Sequence, residues 1–114
     1  MATKPLRLSS LAPLAAVLAL TSAPARADAL PVLQFRNHRF VPDRIIVPAG
    51  RKFTLQVQNL DATDDEFESH DLNREELVPA GQSITVYLGP LAPGSYHFFG
   101  DFHQDTAQGV LVAQ

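Results

Sequence analysis

Two polar stretches of the sequence contain residue types that could bind a cation. The first, DATDDEFESHDLNREE at positions 61–76, has Asp or Glu at eight of its 16 positions. The second, FFGDFHQDTAQGV at 98–110, places Asp101 and His103 directly after an apolar run. Carboxylates suit hard cations, and a carboxylate beside an imidazole either orients the ring or joins it as a ligand. Together they indicate a carboxylate-rich site, although most acidic runs are solvated loops.

Phe67 indicates that the acidic run is ordered, because a large apolar side chain in the middle of the run is typical of a core position. If Phe67 points inward on a strand, Asp65 shares its face of the strand. Glu66 and Glu68 then share the opposite face, because successive side chains of a strand alternate. The carboxylates are therefore expected to be held in place by the fold.

Short apolar runs separated by Pro, Gly, Asn and Asp predict the elements that position these residues. We predict seven strands: Val32–Arg36, Ile45–Val47, Phe53–Asn59, Phe67–Ser69, Ser83–Leu88, Tyr96–Phe99 and Val110–Ala113. Only Asn73–Glu76 looks helical, with an Asn cap and a Glu three residues on. The fold class is therefore all-β, and about seven short strands in one small domain favour a Greek-key sandwich.

Residues 1–27 have the features of a signal peptide: basic residues, the apolar run LAPLAAVLAL, and Ala25-Arg26-Ala27 as a cleavage site. We expect export to the periplasm and one mature domain, 28–114, with 12 acids against six Lys or Arg. Its formal charge of −6 makes nucleic acid a poor partner. The absence of cysteine removes disulfides and thiolate ligands. There is no hydrolase triad or phosphate-binding glycine loop, and no small organic substrate is expected.

Several motifs of the mature part resemble those of the cupredoxins, the small Greek-key copper domains. RFVPDRIIVPAGRKFTLQVQN is similar to their first strands, and NLDATDDEF and YHFFGDFHQDTAQGVLV are similar to their two metal loops. The resemblance covers about Phe35 to Val112. It implies a barrel-like sandwich of cupredoxin type.

The ligands of a blue-copper site are mostly missing from the matching positions. The resemblance puts the first His ligand on Asp65 or Glu66, the Cys on Gly100, the second His on His103 and the Met near Gln108. Only His103 keeps its ligand type. Because the Cu–S bond gives the blue site its electronic character, we expect no blue-copper centre here.

The motifs EFES, PLAPGSY and FGDFHQDTAQG are similar to those of cupredoxin-like proteins of bacterial periplasmic iron uptake, the EfeO-type and iron-permease-associated group. This resemblance implies binding of iron or copper(II) and delivery of iron to a membrane permease, together with other periplasmic iron-uptake proteins. The ligands we predict are His103, Asp101, Glu66 and Asp65, with Glu68 and Glu75 as further acids. We assign no ligand role to His38, His70 and His97, and any of them could join a second site if the fold brings it close to other ligands.

Two other functions are compatible with the same sequence. One is an enzyme, a copper-dependent ferroxidase that oxidises Fe(II), for which the chain shows no Cys or Trp electron relay. The other is a metal-free sandwich that acts as an adaptor. Fold analogy alone does not choose between them.

Overall fold

The computed structural model describes residues 2–6, 12–13, 15–16 and 31–114. The predicted signal peptide falls largely outside these ranges, so its cleavage stays a prediction. Across the part of the chain that is described, no helix combines the length and apolar character needed to cross a bilayer.

Nine strands and one short 3₁₀ turn form the domain, which confirms the all-β prediction with a slightly higher strand count. The first five strands are β1 Val32–Arg36, β2 Arg39–Val41, β3 Arg44–Val47, β4 Phe53–Asn59 and β5 Asp65–Ser69. The remaining elements are β6 Arg74–Val78, β7 Ser83–Leu88, β8 Gly94–Gly100, the 3₁₀ turn Asp101–His103 and β9 Gln108–Ala113. Three predicted strands have the predicted bounds, and four are longer than predicted.

Strand β2 is absent from the predicted strands, and it forms a tight hairpin with β1. The two residues between them, Asn37 and His38, both have left-handed backbones, with φ of 52° and 58°. Positive φ at both central positions is the signature of a type I′ hairpin turn. Gly is the usual second residue of such a turn, so the pair Asn37-His38 does not predict a hairpin from the sequence. Phe40 of β2 packs against Phe35 of β1 with ring centroids 4.4 Å apart.

The predicted helical turn at Asn73–Glu76 is wrong, because Arg74–Val78 is strand β6. Asn73 has φ of 53° and donates its N–H to the carbonyl of His70 at 3.2 Å, so it closes a turn instead of capping a helix. The five residues of β6 then pair antiparallel with β5, from Ser69↔Arg74 to Asp65↔Val78. The five residue pairs with β5 and the burial of Val78 stabilise the strand more than one capping box would stabilise a helical turn.

The strands form a sandwich of two sheets, with orders β2-β1-β4-β7 and β3-β9-β8-β5-β6. The pairs β1–β4 and β3–β9 are parallel, and the others are antiparallel. Phe35 of the first sheet and Phe67 and Phe98 of the second are all fully buried between them. Each such side chain contributes about 1.5–3 kcal/mol of burial energy. Phe67 therefore anchors β5 to the core in the middle of the acidic run.

Asn59, at the end of β4, holds the loop that leads into β5. This side chain is 1% exposed. Its Nδ2 donates to the carbonyls of Thr63 and Val78, each at 2.9 Å, and its Oδ1 accepts the N–H of Asp61 at 3.0 Å. These three bonds tie the loop to β6 and set where β5 begins.

Candidate metal centre

β5 presents acidic side chains on both of its faces. Asp65, Phe67 and Ser69 are buried, whereas Glu66 and Glu68 are half-buried on the outer face of the sheet. This is the alternation that the sequence predicts. The consequence is that adjacent carboxylates of one strand occupy two different environments.

On the outer face, Glu66, Glu68 and Asp101 form a carboxylate triad. One oxygen from each side chain lies within 4.8 Å of the others, and all three residues are half-buried. The glutamates come from β5 and Asp101 from the 3₁₀ turn that follows β8. The pairing Glu68↔Phe99 between β5 and β8 brings the two segments together. An ion of the size of Fe, Mn or Ca takes such oxygens at about 2.0–2.6 Å, so one cation could contact all three.

Like charge is concentrated around Glu66. The pKa of Glu66 is raised to about 7. The largest cause is a hydrogen bond with Glu75, followed by burial and by the charges of Glu75, Asp101 and Glu68. Glu66 Oε1 is buried without a hydrogen-bond partner among the described residues. Two ionised carboxylates have no donor between them, so the bond between Glu66 and Glu75 requires a proton. Either a proton or a cation can therefore relieve this crowding.

Glu68 has a related environment at the same face. Burial raises its pKa, as do the charge of Asp101 and a hydrogen bond to it, while His70 acts in the opposite direction. A cleft of about 240 Å³ lies beside Glu68 and is lined by Glu75, His70, Ser69, Asn73 and Arg74. This opening lies beside Glu68, one of the three carboxylates of the triad.

On the inner face, the Asp65 carboxylate is fully provided with donors. It is 2% exposed. Its Oδ1 accepts the N–H groups of Glu66 at 2.8 Å and Phe102 at 3.2 Å, and its Oδ2 lies 2.6 Å from Nδ1 of His103. Hydrogen bonds to a charged acceptor are each worth about 1.5–3 kcal/mol. This network joins β5 to the 3₁₀ turn across 38 positions of sequence.

The contact with Asp65 assigns the two nitrogens of His103. A carboxylate offers only acceptor lone pairs, so Nδ1 is the protonated nitrogen. In the neutral ring, Nε2 then has the free lone pair. The side chain of His103 is 24% exposed, whereas that of Asp65 is 3% exposed. The arrangement is the one that orients a metal-binding histidine from behind.

His38 lies against His103, a contact that the sequence did not predict. Their rings are stacked with centroids 3.7 Å apart and an angle of 11° between the planes. His38 Nε2 is 3.4 Å from Thr63 Oγ1, and Thr106 donates its hydroxyl proton to the His38 carbonyl. The two histidines are 65 positions apart. The type I′ turn at Asn37-His38 is the local feature that could have predicted their contact, and the sequence did not indicate that turn.

The structure divides the four predicted ligands into two pairs on opposite faces of β5. Glu66 and Asp101 belong to the outer triad with Glu68. Asp65 and His103 form the inner pair. The sequence predicts Asp101 as the companion of His103, whereas Asp101 Oδ1 accepts a hydrogen bond from the Gln104 amide at 2.8 Å.

A family model for the cupredoxin-like domain matches residues 10–113. The chain belongs to the cupredoxin-like family. A protein of Rickettsia prowazekii (strain Madrid E), described as uncharacterized protein RP394, is 50% identical to it over 80 residues. That match covers 70% of this chain and 64% of the Rickettsia protein, so the chain spans less than two thirds of that relative.

Solved structures share the fold of this cupredoxin-like domain at low sequence identity. Auracyanin A, titled a "blue" copper protein from Chloroflexus aurantiacus, has a TM-score of 0.65 and 15% identity, covering 75% of this chain and 98% of its own. A purple cupredoxin from Nitrosopumilus maritimus has a TM-score of 0.59 and 16% identity, covering 74% and 99%. This likeness confirms the architecture of the domain.

The residues around Gly100 leave little space for a side chain at the position that the resemblance assigns to Cys. A Cβ added to Gly100 would lie 2.8 Å from Ala107 Cβ, 2.8 Å from Phe35 Cε1 and 3.0 Å from Asp65 Oδ1. Even the first atom of a side chain would therefore force its neighbours to shift. The donor set that remains consists of carboxylates and imidazoles, which suits Fe, Mn, Zn or Cu(II) and does not suit Cu(I).

Proposed function

We propose that this protein binds iron at the carboxylate triad, Glu66, Glu68 and Asp101, and supports iron uptake in the periplasm by delivering the ion to a membrane permease. The observation that carries this proposal is the convergence of three half-buried carboxylates within 4.8 Å. The cargo would be held by oxygen donors, which iron accepts in both of its common oxidation states. Copper(II) is the alternative ion for the same donors.

The electrostatics of the triad support cation binding. Glu75, burial and neighbouring acids raise the pKa of Glu66 to about 7, so the empty cluster tolerates its full negative charge poorly. A cation would replace the proton and relieve the repulsion among the carboxylates. The acidic surface would also attract cations over about 8–10 Å, the screening length near physiological ionic strength.

The exposure of the triad supports a carrier more than a permanent structural site. All three carboxylates are half-buried, and a cleft opens beside Glu68. A site open to solvent allows exchange of its ion with a partner protein. The periplasmic location and the permease partner rest on the signal peptide features and on the similarity to the iron-uptake group.

Anaerobic Fe(II) titration by calorimetry tests the proposal. We expect Glu68→Gln and Asp101→Asn each to lower the affinity by about 10- to 100-fold, because each removes one charged ligand. Glu76→Gln is the matched control, since Glu76 is an exposed acid of β6 outside the triad. Equal affinity in Glu68→Gln, Asp101→Asn and Glu76→Gln would remove the triad from iron binding.

The delivery step needs its own experiment. Iron-loaded protein is mixed with permease-containing vesicles, and uptake of labelled iron is compared with that from free iron at the same free concentration. Faster uptake from the loaded wild type than from Glu68→Gln supports delivery. Equal rates would leave a binding protein with no role in transfer.

Oxidation of Fe(II) distinguishes the carrier from a ferroxidase. The rate of Fe(II) loss in air is followed with the protein alone and with added Cu(II). No acceleration over buffer supports the carrier. A copper-dependent acceleration that is lost in Asp101→Asn would identify a ferroxidase instead.

A further inference from the structure

We propose that Gln104 is a positioning residue for the carboxylate triad, because its side-chain amide holds Asp101 in the orientation that a cation at the triad requires. This inference rests on the proposed function, since Gln104 acts only through a ligand of that site. In this role Gln104 contacts Asp101 and does not contact the ion.

Asp101 is the triad member whose position the sheet defines least. Glu66 and Glu68 lie on β5, which pairs with β6 on one side and with β8 on the other. Asp101 instead begins a 3₁₀ turn of three residues beyond the end of β8. The terminal torsion of an Asp side chain has a broad distribution, so the backbone alone does not fix the plane of the carboxylate. A further contact is therefore needed to orient Asp101.

The amide of Gln104 provides this contact. Its Nε2 donates to Asp101 Oδ1 at 2.8 Å and to the backbone carbonyl of Asp101 at 3.3 Å. Two bonds to the same residue set both the direction of the amide and the rotation of the carboxylate. One oxygen of Asp101 is thereby held in place, and the plane of the group is held with it.

The neutral charge of the amide suits this role. A Lys or Arg at position 104 could also donate to Asp101, but its positive charge would repel a bound cation. An amide N–H orients the carboxylate and leaves its negative charge available to the ion. Carboxylates that bind metal ions are commonly held by a hydrogen bond of this kind.

Gln104 is held in turn by the strands that flank its loop. Gln108, the first residue of β9, donates its side-chain N–H to the Gln104 carbonyl at 2.6 Å. The Oε1 of Gln108 lies 2.6 Å from Nε2 of His97 on β8, and an amide oxygen can only accept, so His97 donates. These bonds form a continuous chain from β8 through β9 to Gln104 and Asp101.

The backbone of the loop is closed without the Gln104 side chain. Gly100 donates its N–H to the Ala107 carbonyl at 2.9 Å, and Ala107 donates to the His103 carbonyl at 2.8 Å. Ala107 is fully buried, whereas Gln104 is exposed. Removal of the Gln104 amide should therefore leave the loop folded, so its effect on Asp101 can be measured separately from stability.

Anaerobic Fe(II) calorimetry with a double-mutant cycle tests the positioning role. We expect Gln104→Ala to lower the affinity about tenfold, as loss of a group that supports a ligand usually does. The same change in an Asp101→Asn background should have no further effect, because Gln104 acts through the Asp101 carboxylate. Gln82→Ala is the matched control, since Gln82 is an exposed glutamine in the connection between β6 and β7.

The outcomes distinguish this inference from the proposed function. If Asp101→Asn lowers the affinity while Gln104→Ala binds iron as Gln82→Ala does, the triad stands and the positioning role is wrong. An equal loss from Gln104→Ala in both backgrounds would show an effect that does not pass through Asp101, and it would also overturn the role. Unchanged affinity in Asp101→Asn would overturn the proposed function and this inference with it.

Nitrogen-15 NMR of the metal-free protein tests the contact itself. We expect the side-chain N–H signals of Gln104 to shift in Asp101→Ala, because the bond to Oδ1 is lost. The side-chain signals of Gln82 should stay in place and serve as the internal reference. Unchanged Gln104 signals would mean that the contact is not formed in solution, which would contradict the proposal.

Discussion

The two faces of β5 place neighbouring carboxylates in opposite situations. Asp65, on the inner face, receives two backbone N–H groups and one imidazole. Glu66, on the outer face, is crowded by other acids, and one of its oxygens is buried without a partner among the described residues. A carboxylate provided with donors stabilises the fold, whereas one surrounded by like charge is available to a proton or a cation. Mutations on the inner face should therefore cost the most stability, and those at exposed positions the least.

Removing the Asp65 side chain should have the largest effect. Asp65→Ala deprives His103 and the N–H groups of Glu66 and Phe102 of their acceptor in a buried place. We expect a loss of about 3–5 kcal/mol in the free energy of unfolding, because a buried charged network loses one partner. Chemical denaturation followed by circular dichroism measures it. Asp105→Ala, at an exposed acid of the last loop, is the control. A cost below about 1 kcal/mol, the range of exposed polar contacts, would mean that the inner network does not stabilise the fold.

Adding a methyl group at Gly100 should have the second largest effect. The new Cβ would lie 2.8 Å from Ala107 Cβ and from Phe35 Cε1. We expect Gly100→Ala to cost about 1–3 kcal/mol, the usual range for overpacking of a core. Thermal unfolding measures the change.

A double variant serves as the control for Gly100→Ala. Ala107→Gly removes one of the two closest contacts, so Gly100→Ala combined with Ala107→Gly should cost less than the two single changes added together. Strict additivity would show that the contact with Ala107 is not the source of the strain.

Neutralising Glu66 should change the pH dependence of stability. The folded pKa of about 7 lies above the ordinary 4.5, so the folded state holds its proton more tightly than the unfolded state. The resulting stabilisation is complete below about pH 4.5 and is lost as the pH rises through about 7. We therefore expect Glu66→Gln to be more stable than the wild type at pH 8 and similar to it at pH 5, in the absence of metal.

Melting temperatures at the two pH values measure this difference. Glu76→Gln, at an exposed acid of β6, is the control and should follow the wild type. If Glu66→Gln also follows the wild type at both pH values, then Glu66 is not under electrostatic stress and the contrast between the two faces of β5 is lost.

An exposed histidine of the same sheet should show the smallest effect. His97 Nε2 lies 2.6 Å from Gln108 Oε1 at the surface. We expect His97→Gln to change stability by no more than about 0.5 kcal/mol, as surface substitutions usually do. Denaturant unfolding tests this, and a cost as large as that of Asp65→Ala would show that burial does not separate the two environments.

Local patterns predicted several elements correctly. Alternation of apolar and polar residues located β1, β4 and β7 with their bounds and assigned the acids of β5 to its two faces. It failed for β6, where a capping box at Asn73 competed with pairing to β5. Short strands depend on their partner for stability, and the partner is not visible in the local sequence.

The sequence by itself determined the chemistry that is available. Without cysteine the chain has no thiolate to offer a blue-copper site, and the composition of positions 61–76 and 98–110 leaves oxygen and imidazole donors. Strand alternation also separated Asp65 from Glu66, because that period of two is a local property of the backbone.

Only the tertiary structure decided which donors meet. The order β8-β5-β6 brings Asp101 to Glu66 and Glu68, and the same arrangement brings His103 to Asp65 from 38 positions away. The β1–β2 turn places His38 on His103. Such contacts follow from the order of strands in the sheets and from the crossover connections between the sheets. Neither of the two segments in such a contact carries a periodic pattern that identifies the other segment. For that physical reason, one predicted set of ligands became two groups on opposite faces of one strand.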